Sequence, residues 1–443
     1  MRNHTVPPSI IEPENPVGAQ LERVLDYIHA NWTRSISRDV NGSGFKGDDL
    51  PFPYTSPCIK GEGQFSFFFY WDTYFTNLGL LRHGEISTAQ DNIRNILWLI
   101  KRQGYMPNHT ALFNRSQSPY LCRMAQDYLA VSGDDNFLPE CADGLRQEYH
   151  FWTTARHTPI GLTHHGHHET AEGCADFYDN ILLPRLSFLP RDASAADKVR
   201  IGGHYMAEAE SSCDFTPRFD RRCLDFCQVD LNALLFEYEV VLADYSLLLG
   251  WGDHPLWLAR NAARRERIDR YFWNEKMGFF LDYDFVNQRP GEVPALTAYQ
   301  TLFCGLATPG QAERMVANLP LFEREHGVAY TADLPGCREF QWAFPTVWPP
   351  MVWVVVEGLR RYGYETEARR VAKKYVATTI RLFEKTGQLW EKTDAETGEV
   401  AGGEYTAAPM MGWSAGVFVA LTDFLAQKSN HKKSGPIARA ALL

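Results

Sequence analysis

Three carboxylates lie in loop-like segments beside aromatic or apolar residues: Asp214 in CDF, Glu391 in WEK and Glu404 in GGEY. A carboxyl group among apolar neighbours has a raised pKa and can act as a general acid, which makes Asp214 a candidate catalytic residue. Each residue also has an ordinary explanation. Asp214 could be a helix N-cap or a surface residue, and each glutamate could be solvated beside a core aromatic residue.

The stretch QFSFFFYWDTYFTNLG, residues 64–79, places one carboxylate, Asp72, in a run of aromatic residues. An aspartate rarely lies in such a run unless it makes directed hydrogen bonds. Aromatic rings stack on the C–H faces of sugars, and a carboxylate accepts hydrogen bonds from sugar hydroxyls. The alternative is a core helix with Asp72 as its N-cap. The candidate sugar contacts in this stretch are Phe65, Tyr70, Trp71 and Asp72.

Two later segments add amides, arginines and tryptophans. In GYMPNHTALFNRSQSP, residues 104–119, Arg115 and Gln117 have no role in forming a turn. The segment QWAFPTVWPP, residues 341–350, combines an amide with aromatic rings. Arg191 could fix sugar oxygens or form a surface salt bridge. The further candidate sugar contacts are Asn108, Arg115, Gln117, Arg191, Gln341, Trp342 and Trp348.

Together these segments suit the hydrolysis of a glycosidic bond. One protonated carboxyl group donates to the leaving oxygen, and one ionised carboxylate activates water or attacks carbon. This chemistry predicts a small-molecule sugar as substrate and no cofactor.

Net charge and cysteine usage limit the classes of partner and the cellular compartment that we expect. A net charge of −10 argues against nucleic acid or an anionic membrane as a partner, and no apolar run is long enough to span a bilayer. The nine cysteines are odd in number and irregularly spaced, so a disulfide framework is not expected. The N-terminal residues lack the apolar region of a secretory signal. We therefore expect a cytoplasmic protein, and the sequence does not indicate its oligomeric state.

Histidines cluster in HHGHHE, residues 164–169, within a long polar segment. His and Glu are possible zinc ligands. Adjacent histidines point in different directions, however, and no helical pattern brings them onto one face. We therefore predict no metal site, and expect some of these side chains to reach the substrate.

Apolar residues recur at helical spacing along most of the chain, and strand candidates are few and short. Long segments that are typical of functional loops separate the helices at 41–61, 103–118, 157–193, 210–229, 319–346 and 387–410. The alternation favours an all-α toroid of helix hairpins with the loops at one mouth. We expect one catalytic domain over residues 16–430, with an N-terminal tail at 1–15 and a polar C-terminal tail at 431–443.

Several motifs carry a family resemblance. FYWDTYFTNLGL closely resembles the first signature of the trehalase family of glycosidases, and QWAFPTVWPPMVWVVVEGLRRYG is similar to a variant of its second. PNHTALFNRSQSP, CDFTPRF, WEKTD, GGEY and MGWSAG follow in the family's order between about residue 54 and about residue 427. The resemblance implies an (α/α)6 barrel and inversion at the anomeric carbon.

The resemblance also implies roles for individual residues. Asp214 takes the general-acid role, Glu391 takes the role of the base that polarises water, and Glu404 becomes a carboxylate of the substrate shell. The residues that would line the glucose-holding subsite are Trp71, Asp72, Asn108, Arg115, Gln117 and Arg191. An inverting pair needs its carboxyl groups ~6.5–9.5 Å apart to admit water.

The chain departs from the family pattern in the residues that would bind sugar. Gln64 stands where the first signature has arginine, and Ala343 stands where the second has aspartate. Glutamine cannot replace a bidentate arginine without loss of charge and geometry. We therefore expect a small α-glucoside as substrate: trehalose, another short α-glucoside or a glucoside with a non-sugar aglycone.

Two other functions stay open. An inverting phosphorylase on a similar toroid would need a phosphate pocket, which the histidines and Arg191 could form, although the carboxylate of Glu391 would repel phosphate. A non-catalytic sugar-binding protein is favoured by Gln64 and Ala343, and disfavoured by the presence of both candidate catalytic carboxylates.

Overall fold

The structure is a computed structural model that describes residues 16–37, 50–59, 61 and 65–427. The predicted tails at 1–15 and 431–443 lie outside the described residues, as do Gln64 and most of the predicted loop at 41–61. The single-domain boundary at 16–430 therefore stays a prediction.

Fifteen α-helices make up most of the described chain. They are α1 (Pro16–Ser35), α2 (Tyr70–Arg82), α3 (Ile86–Gln103), α4 (Leu121–Ser132), α5 (Leu138–Thr154), α6 (Ala171–Phe177), α7 (Leu183–Arg185), α8 (Ala195–Glu210), α9 (Val229–Leu248), α10 (His254–Tyr271), α11 (Gln300–Phe303), α12 (Pro309–Ala317), α13 (Pro349–Arg361), α14 (Glu365–Thr386) and α15 (Gly412–Ala426). Short 3-10 turns precede several of them, such as Leu296–Tyr299 before α11.

Six of these helices form a closed inner ring. Helix α2 packs against α4, α4 against α9, α9 against α11, α11 against α13, α13 against α15, and α15 against α2. Helices α1, α3, α5, α10, α12 and α14 alternate with them along the chain, so each inner helix follows an outer one. The predicted all-α toroid of six hairpins is therefore confirmed, and the ring closure that the sequence could not reveal is present.

The burial of the helices follows their place in the ring. Inner helix α9 is buried on all sides over most of its length, as expected for a helix surrounded by others. Outer helix α14 buries one stripe that includes Ala368, Val371, Ala372 and Tyr375, at the spacing of a single helix face. The 3.6-residue period thus marks the outer helix α14, whereas the inner helix α9 is apolar on every side.

The strands of the described chain are all two residues long and antiparallel. They are β1 (Ile36–Ser37), β2 (Tyr54–Thr55), β3 (Phe226–Cys227), β4 (Trp273–Asn274), β5 (Phe279–Phe280), β6 (Tyr283–Asp284), β7 (Arg289–Pro290), β8 (Glu323–Arg324), β9 (Gly327–Val328), β10 (Thr346–Val347) and β11 (Thr393–Asp394). They pair as β1–β2, β3–β6–β7, β4–β5, β8–β9 and β10–β11. These pairs hold parts of the connecting loops together.

The segment at 157–193 is not the loop that the sequence predicted. It contains α6, a π-helical turn at Tyr178–Leu182 and α7, and α6 packs against α8. The hydroxyl of Thr170 caps α6 by accepting a hydrogen bond from the backbone N–H of Gly173. These helices have seven and three residues, too few for a helical period to show in the sequence.

Candidate active site

A cavity of about 520 Å³ lies at one end of the ring. The segments that line it lie in the connections that lead into the inner helices α2, α4, α9, α13 and α15, or in the first turns of those helices. This places them together although they are far apart in the chain. The predicted site residues that line it are Phe65, Trp71, Asp72, Asn108, Arg115, Gln117, Asp214, Trp342, Trp348 and Glu391.

Asp214 lies on the wall of the cavity, with about a third (32%) of its side chain exposed. Its Oδ2 accepts a hydrogen bond of 2.9 Å from Nη1 of Arg185, and its backbone carbonyl accepts one of 3.0 Å from Nη2. Our expectation that Asp214 is surrounded by apolar groups is therefore wrong. A guanidinium fixes the orientation of this carboxyl group instead.

The side chain of Glu391 lines the cavity and is almost fully buried. Its Oε1 accepts a hydrogen bond of 2.6 Å from the hydroxyl of Tyr405, and its Oε2 accepts one of 3.3 Å from the backbone N–H of Ala408. Burial raises the pKa of Glu391, while the charge of Lys392 and the bond from Tyr405 oppose that rise. The side chain is thus a carboxylate held in place, with a pKa shifted toward neutral pH.

Asp72 lies in the first turn of α2 and lines the same cavity. Burial raises the pKa of Asp72 to about 8, and the charges of Glu391 and Asp214 contribute to the rise. A buried carboxyl group of this kind needs a hydrogen-bonding partner. Sugar hydroxyls are partners of the right type, because they both donate and accept.

Four tryptophans form the deep end of the cavity. The rings of Trp342 and Trp348 stack with centroids 3.7 Å apart and planes 3° apart. Trp71 meets Trp342 edge-on at 5.8 Å, and Trp413 meets Trp348 at 6.0 Å. All four line the cavity and are almost fully buried, so they form a rigid apolar surface of the kind on which a sugar ring stacks.

The loop before α4 supplies the amides and one cation. Oε1 of Gln117 accepts a hydrogen bond of 3.0 Å from the backbone N–H of Trp71. The NH₂ group of Gln117 can therefore donate to other acceptors. The backbone of Asn108 is tied to the carbonyl of Arg115 and to the N–H of Tyr70. Nε of Arg115 is buried without a hydrogen-bond partner. This donor beside the cavity can bind a polar group of a substrate.

Two of the predicted sugar contacts lie away from the cavity. Tyr70 is fully buried, and its hydroxyl donates a hydrogen bond of 2.6 Å to Glu148, because successive residues of a helix point about 100° apart and Trp71 takes the cavity side. Arg191 is exposed in a turn before α8. Neither side chain lines the cavity.

Gln341 and Glu404 lie behind the cavity wall. The amide Nε2 of Gln341 donates a hydrogen bond of 2.7 Å to the carbonyl of Asp214, and its Oε1 accepts one of 2.7 Å from Nζ of Lys392. Glu404 accepts a hydrogen bond of 2.8 Å from Nε of Arg185 and one of 3.2 Å from the backbone N–H of Gln341. Both residues therefore position groups that face the cavity.

The sequence interpretation missed three residues of this network: Arg185, Lys392 and Tyr405. Arg185 lies in α7, within the segment that we predicted to be a loop, and nothing in the sequence distinguished it from Arg191. Lys392 and Tyr405 directly follow the two glutamates of WEK and GGEY, so their proximity to the site was available from the sequence.

The histidine cluster packs beneath the loop that carries Arg115. Glu210, at the end of α8, accepts hydrogen bonds from Arg156 and from the backbone N–H groups of Ser116 and Gly166. Nδ1 of His165 lies 3.5 Å from the same carboxylate. These contacts are structural, and none of the histidines of HHGHHE lines the cavity. Among the described residues, no group of three or more His, Cys, Asp or Glu is arranged to hold a metal ion.

Alanine at position 343, where the family's second signature has aspartate, lies in apolar surroundings. Ala343 is fully buried in a small cluster with Phe215 and Phe340, where the charge of an aspartate would be costly unless it were paired.

Known proteins resemble this chain over most of its length. The family model for trehalase matches residues 12–426. The chain belongs to the trehalase family. It is a glycoside hydrolase, as the motifs predicted.

Relatives of this trehalase-family chain cover most of its length. A periplasmic trehalase of Xanthomonas oryzae pv. oryzae is 30% identical over 424 residues, which cover 88% of this chain and 71% of the relative. A periplasmic trehalase of Pseudomonas aeruginosa is 31% identical over 407 residues, covering 84% and 71%. The structure of the neutral trehalase of Saccharomyces cerevisiae is similar with a TM-score of 0.72 and 25% identity, covering 91% of this chain and 80% of that one.

The names of these relatives contradict our prediction of a cytoplasmic location and point to the periplasm. That prediction relied on the cysteine pattern and on the lack of an apolar signal region at the N-terminus. All nine cysteines are buried and form no disulfides, and this pattern does not decide the compartment. No helix among the described residues is long and apolar enough to span a membrane.

Proposed function

We propose that this glycoside hydrolase cleaves trehalose with inversion, using Asp214 as general acid and Glu391 as general base. The observation that carries the proposal is that these two carboxyl groups, from loops far apart in the chain, line one tryptophan-floored cavity. The names of the trehalase relatives support the choice of substrate.

In this mechanism Asp214 donates its proton to the glycosidic oxygen as the bond to the anomeric carbon breaks. A water molecule attacks that carbon from the opposite face, and Glu391 accepts the proton that the water loses. The hydroxyl of Tyr405 and the N–H of Ala408 hold Glu391 in one orientation. Its raised pKa makes it a stronger base than an exposed glutamate.

Binding of the glucose ring is assigned to the deep end of the cavity. Trp71 and its neighbouring tryptophans offer a stacking surface, and Asp72 accepts hydrogen bonds from hydroxyls. Gln117 and Arg115 supply donors from the facing loop. These contacts fix the anomeric carbon between the two catalytic carboxyl groups.

The geometry argues against both alternative functions. The residues that we expected to bind phosphate in a phosphorylase, the histidines of HHGHHE and Arg191, lie outside the cavity. Glu391 holds a carboxylate where phosphate would attack. A binding protein would have no need of a buried, hydrogen-bonded base in the same cavity as an arginine-held carboxyl group.

The variants Asp214→Asn and Glu391→Gln test this proposal. We expect each to lower kcat on trehalose by about 10²–10⁴-fold, the usual contribution of general acid or base catalysis. Released glucose measures the rate. The matched controls are Asp333→Asn and Glu396→Gln, which remove exposed surface charges and should leave the rate unchanged. Full activity of either catalytic variant, with a normal circular dichroism spectrum, would contradict the assignment.

A further inference from the structure

The outer part of the cavity differs in chemistry from its deep end. Phe65, Phe67, Phe69, His109 and Leu112, here called the aromatic wall, all line the cavity and are partly exposed. The tryptophans and Glu391 at the deep end are almost fully buried. This gradient of exposure places the aromatic wall at the mouth.

Contacts between its rings make the aromatic wall a continuous surface. His109 stacks on Phe67 with centroids 4.9 Å apart and planes 18° apart, and it meets Phe69 at 4.5 Å. Phe65 meets Phe69 edge-on at 6.0 Å. Leu112 pairs with His109 through their backbones.

The backbone holds the aromatic wall in place without a ligand. The N–H of Phe68 donates to the hydroxyl of Thr110 at 3.3 Å, and the N–H of Thr110 donates to the carbonyl of Phe68 at 3.2 Å. The N–H of Tyr70 donates to the carbonyl of Asn108 at 3.1 Å. These bonds tie the segment before α2 to the loop before α4, so little ordering is needed on binding.

The aromatic wall carries no charge at neutral pH. Burial lowers the pKa of His109 to about 4, and the nearby charge of Arg115 acts in the same direction. Nδ1 of His109 accepts a hydrogen bond from the N–H of Ala111, which is consistent with a neutral ring. The aromatic wall can therefore offer stacking and apolar contact, with few of the directed donors that a second sugar ring would use.

We propose that the aromatic wall is a subsite for apolar aglycones, so that the enzyme also hydrolyses alkyl and aryl α-glucosides. This inference rests on the proposed function, because it requires the glucose ring to bind at the deep end with its leaving group toward the mouth. The apolar part of the leaving group then loses its contact with water against Phe65, Phe67 and Phe69.

A series of alkyl α-glucosides, from methyl to hexyl, tests the proposal, because the leaving groups differ in apolar area and little in acidity. We expect kcat/KM to rise about two- to fourfold for each added methylene, the upper value being the factor for a fully buried methylene. Trehalose is measured beside the series.

Variants of the aromatic wall make the test specific. In Phe67→Ser, and independently in Leu112→Asn, the rise of kcat/KM with chain length should flatten, whereas it should persist in the control Phe188→Ser, whose ring lies outside the cavity against Phe340. Circular dichroism and thermal melting verify that each variant folds.

The outcomes separate the two proposals. If trehalose is hydrolysed but kcat/KM does not rise along the series, or if the rise survives both wall variants, the subsite is wrong and the proposed function stands. If kcat/KM rises with chain length but trehalose is not hydrolysed, the subsite stands and the proposed substrate is wrong. Absence of hydrolysis with every compound would contradict both.

Discussion

At the scale of single residues, the site depends on how neighbouring groups tune and hold two carboxyl groups. Asp214 is held by Arg185, and Arg185 is held in turn by Glu404. Glu391 is held by Tyr405. Burial raises the pKa of Glu404 to about 7 and also raises that of Glu391. The protonation states of Glu391 and Glu404 therefore depend on their burial and on a small set of contacts behind the cavity wall.

Lys392 is the cation closest in sequence to the proposed base. It is fully buried, and burial lowers its pKa to about 8. Its Nζ lies 4.1 Å from the ring centroid of Tyr405 and donates to Gln341. Lys392 thus contacts both the group that caps Glu391 and the group that binds the backbone of Asp214, which makes it a positioning residue.

The variant Lys392→Met should shift the pH profile of kcat/KM. Glu391 must be ionised to act as a base, so activity falls as pH falls through its pKa. The charge of Lys392 lowers that pKa, and its removal should move the acidic limb toward higher pH and reduce kcat. A pH–rate profile on trehalose measures the shift. The control Lys385→Met removes an exposed lysine. An unmoved acidic limb would contradict the positioning role.

At the scale of elements, the helices of the ring were predictable and the inserted segment was not. The helical spacing that the sequence shows along most of the chain corresponds to the long helices of the ring, because periodicity and apolar runs are strong over the 13 residues of α2 or the 22 residues of α14. The short helices α6 and α7 gave no comparable signal. For this reason Arg191 was chosen and Arg185, which carries the contact to Asp214, was missed.

The closest helix contact of the ring joins its first and last inner members, α2 and α15. A Cβ atom on Gly416 would lie 1.8 Å from the carbonyl oxygen of Phe75, and one on Gly79 would lie 2.8 Å from Cα of Gly416. These are backbone atoms, which cannot move aside without separating the helices. The two glycines therefore allow α2 and α15, the first and last inner helices, to pack closely and close the ring.

We expect Gly416→Ala to destabilise the protein by at least ~1–3 kcal/mol, the usual effect of overpacking a core. The midpoint of urea unfolding measures the change. The control is Gly310→Ala in α12, where an added Cβ meets no atom within 4 Å and replacement of a helical glycine should be neutral or stabilising. Equal midpoints for Gly416→Ala and the unchanged protein would contradict the tight contact.

At the scale of the whole molecule, the toroid assembles a site from five separate connections. Ordered motifs in the sequence predicted the toroid and ten of the residues that line its cavity, including Asp72, Asp214 and Glu391. The sequence could not predict which polar residues lie behind the wall. Gln341 and Glu404 face away because the tertiary packing, and not local pattern, decides on which side of a loop a side chain lies.

The central claim is that water enters between Asp214 and Glu391 and attacks the face opposite the leaving group. Proton NMR of the first glucose released from trehalose, recorded faster than mutarotation, tests it most directly. Both rings of trehalose are α-linked, so inversion gives equal amounts of β-glucose from the attacked ring and α-glucose from the leaving ring. We predict this equal mixture. Release of α-glucose alone would show retention and would contradict the role of Glu391 as the base that activates water.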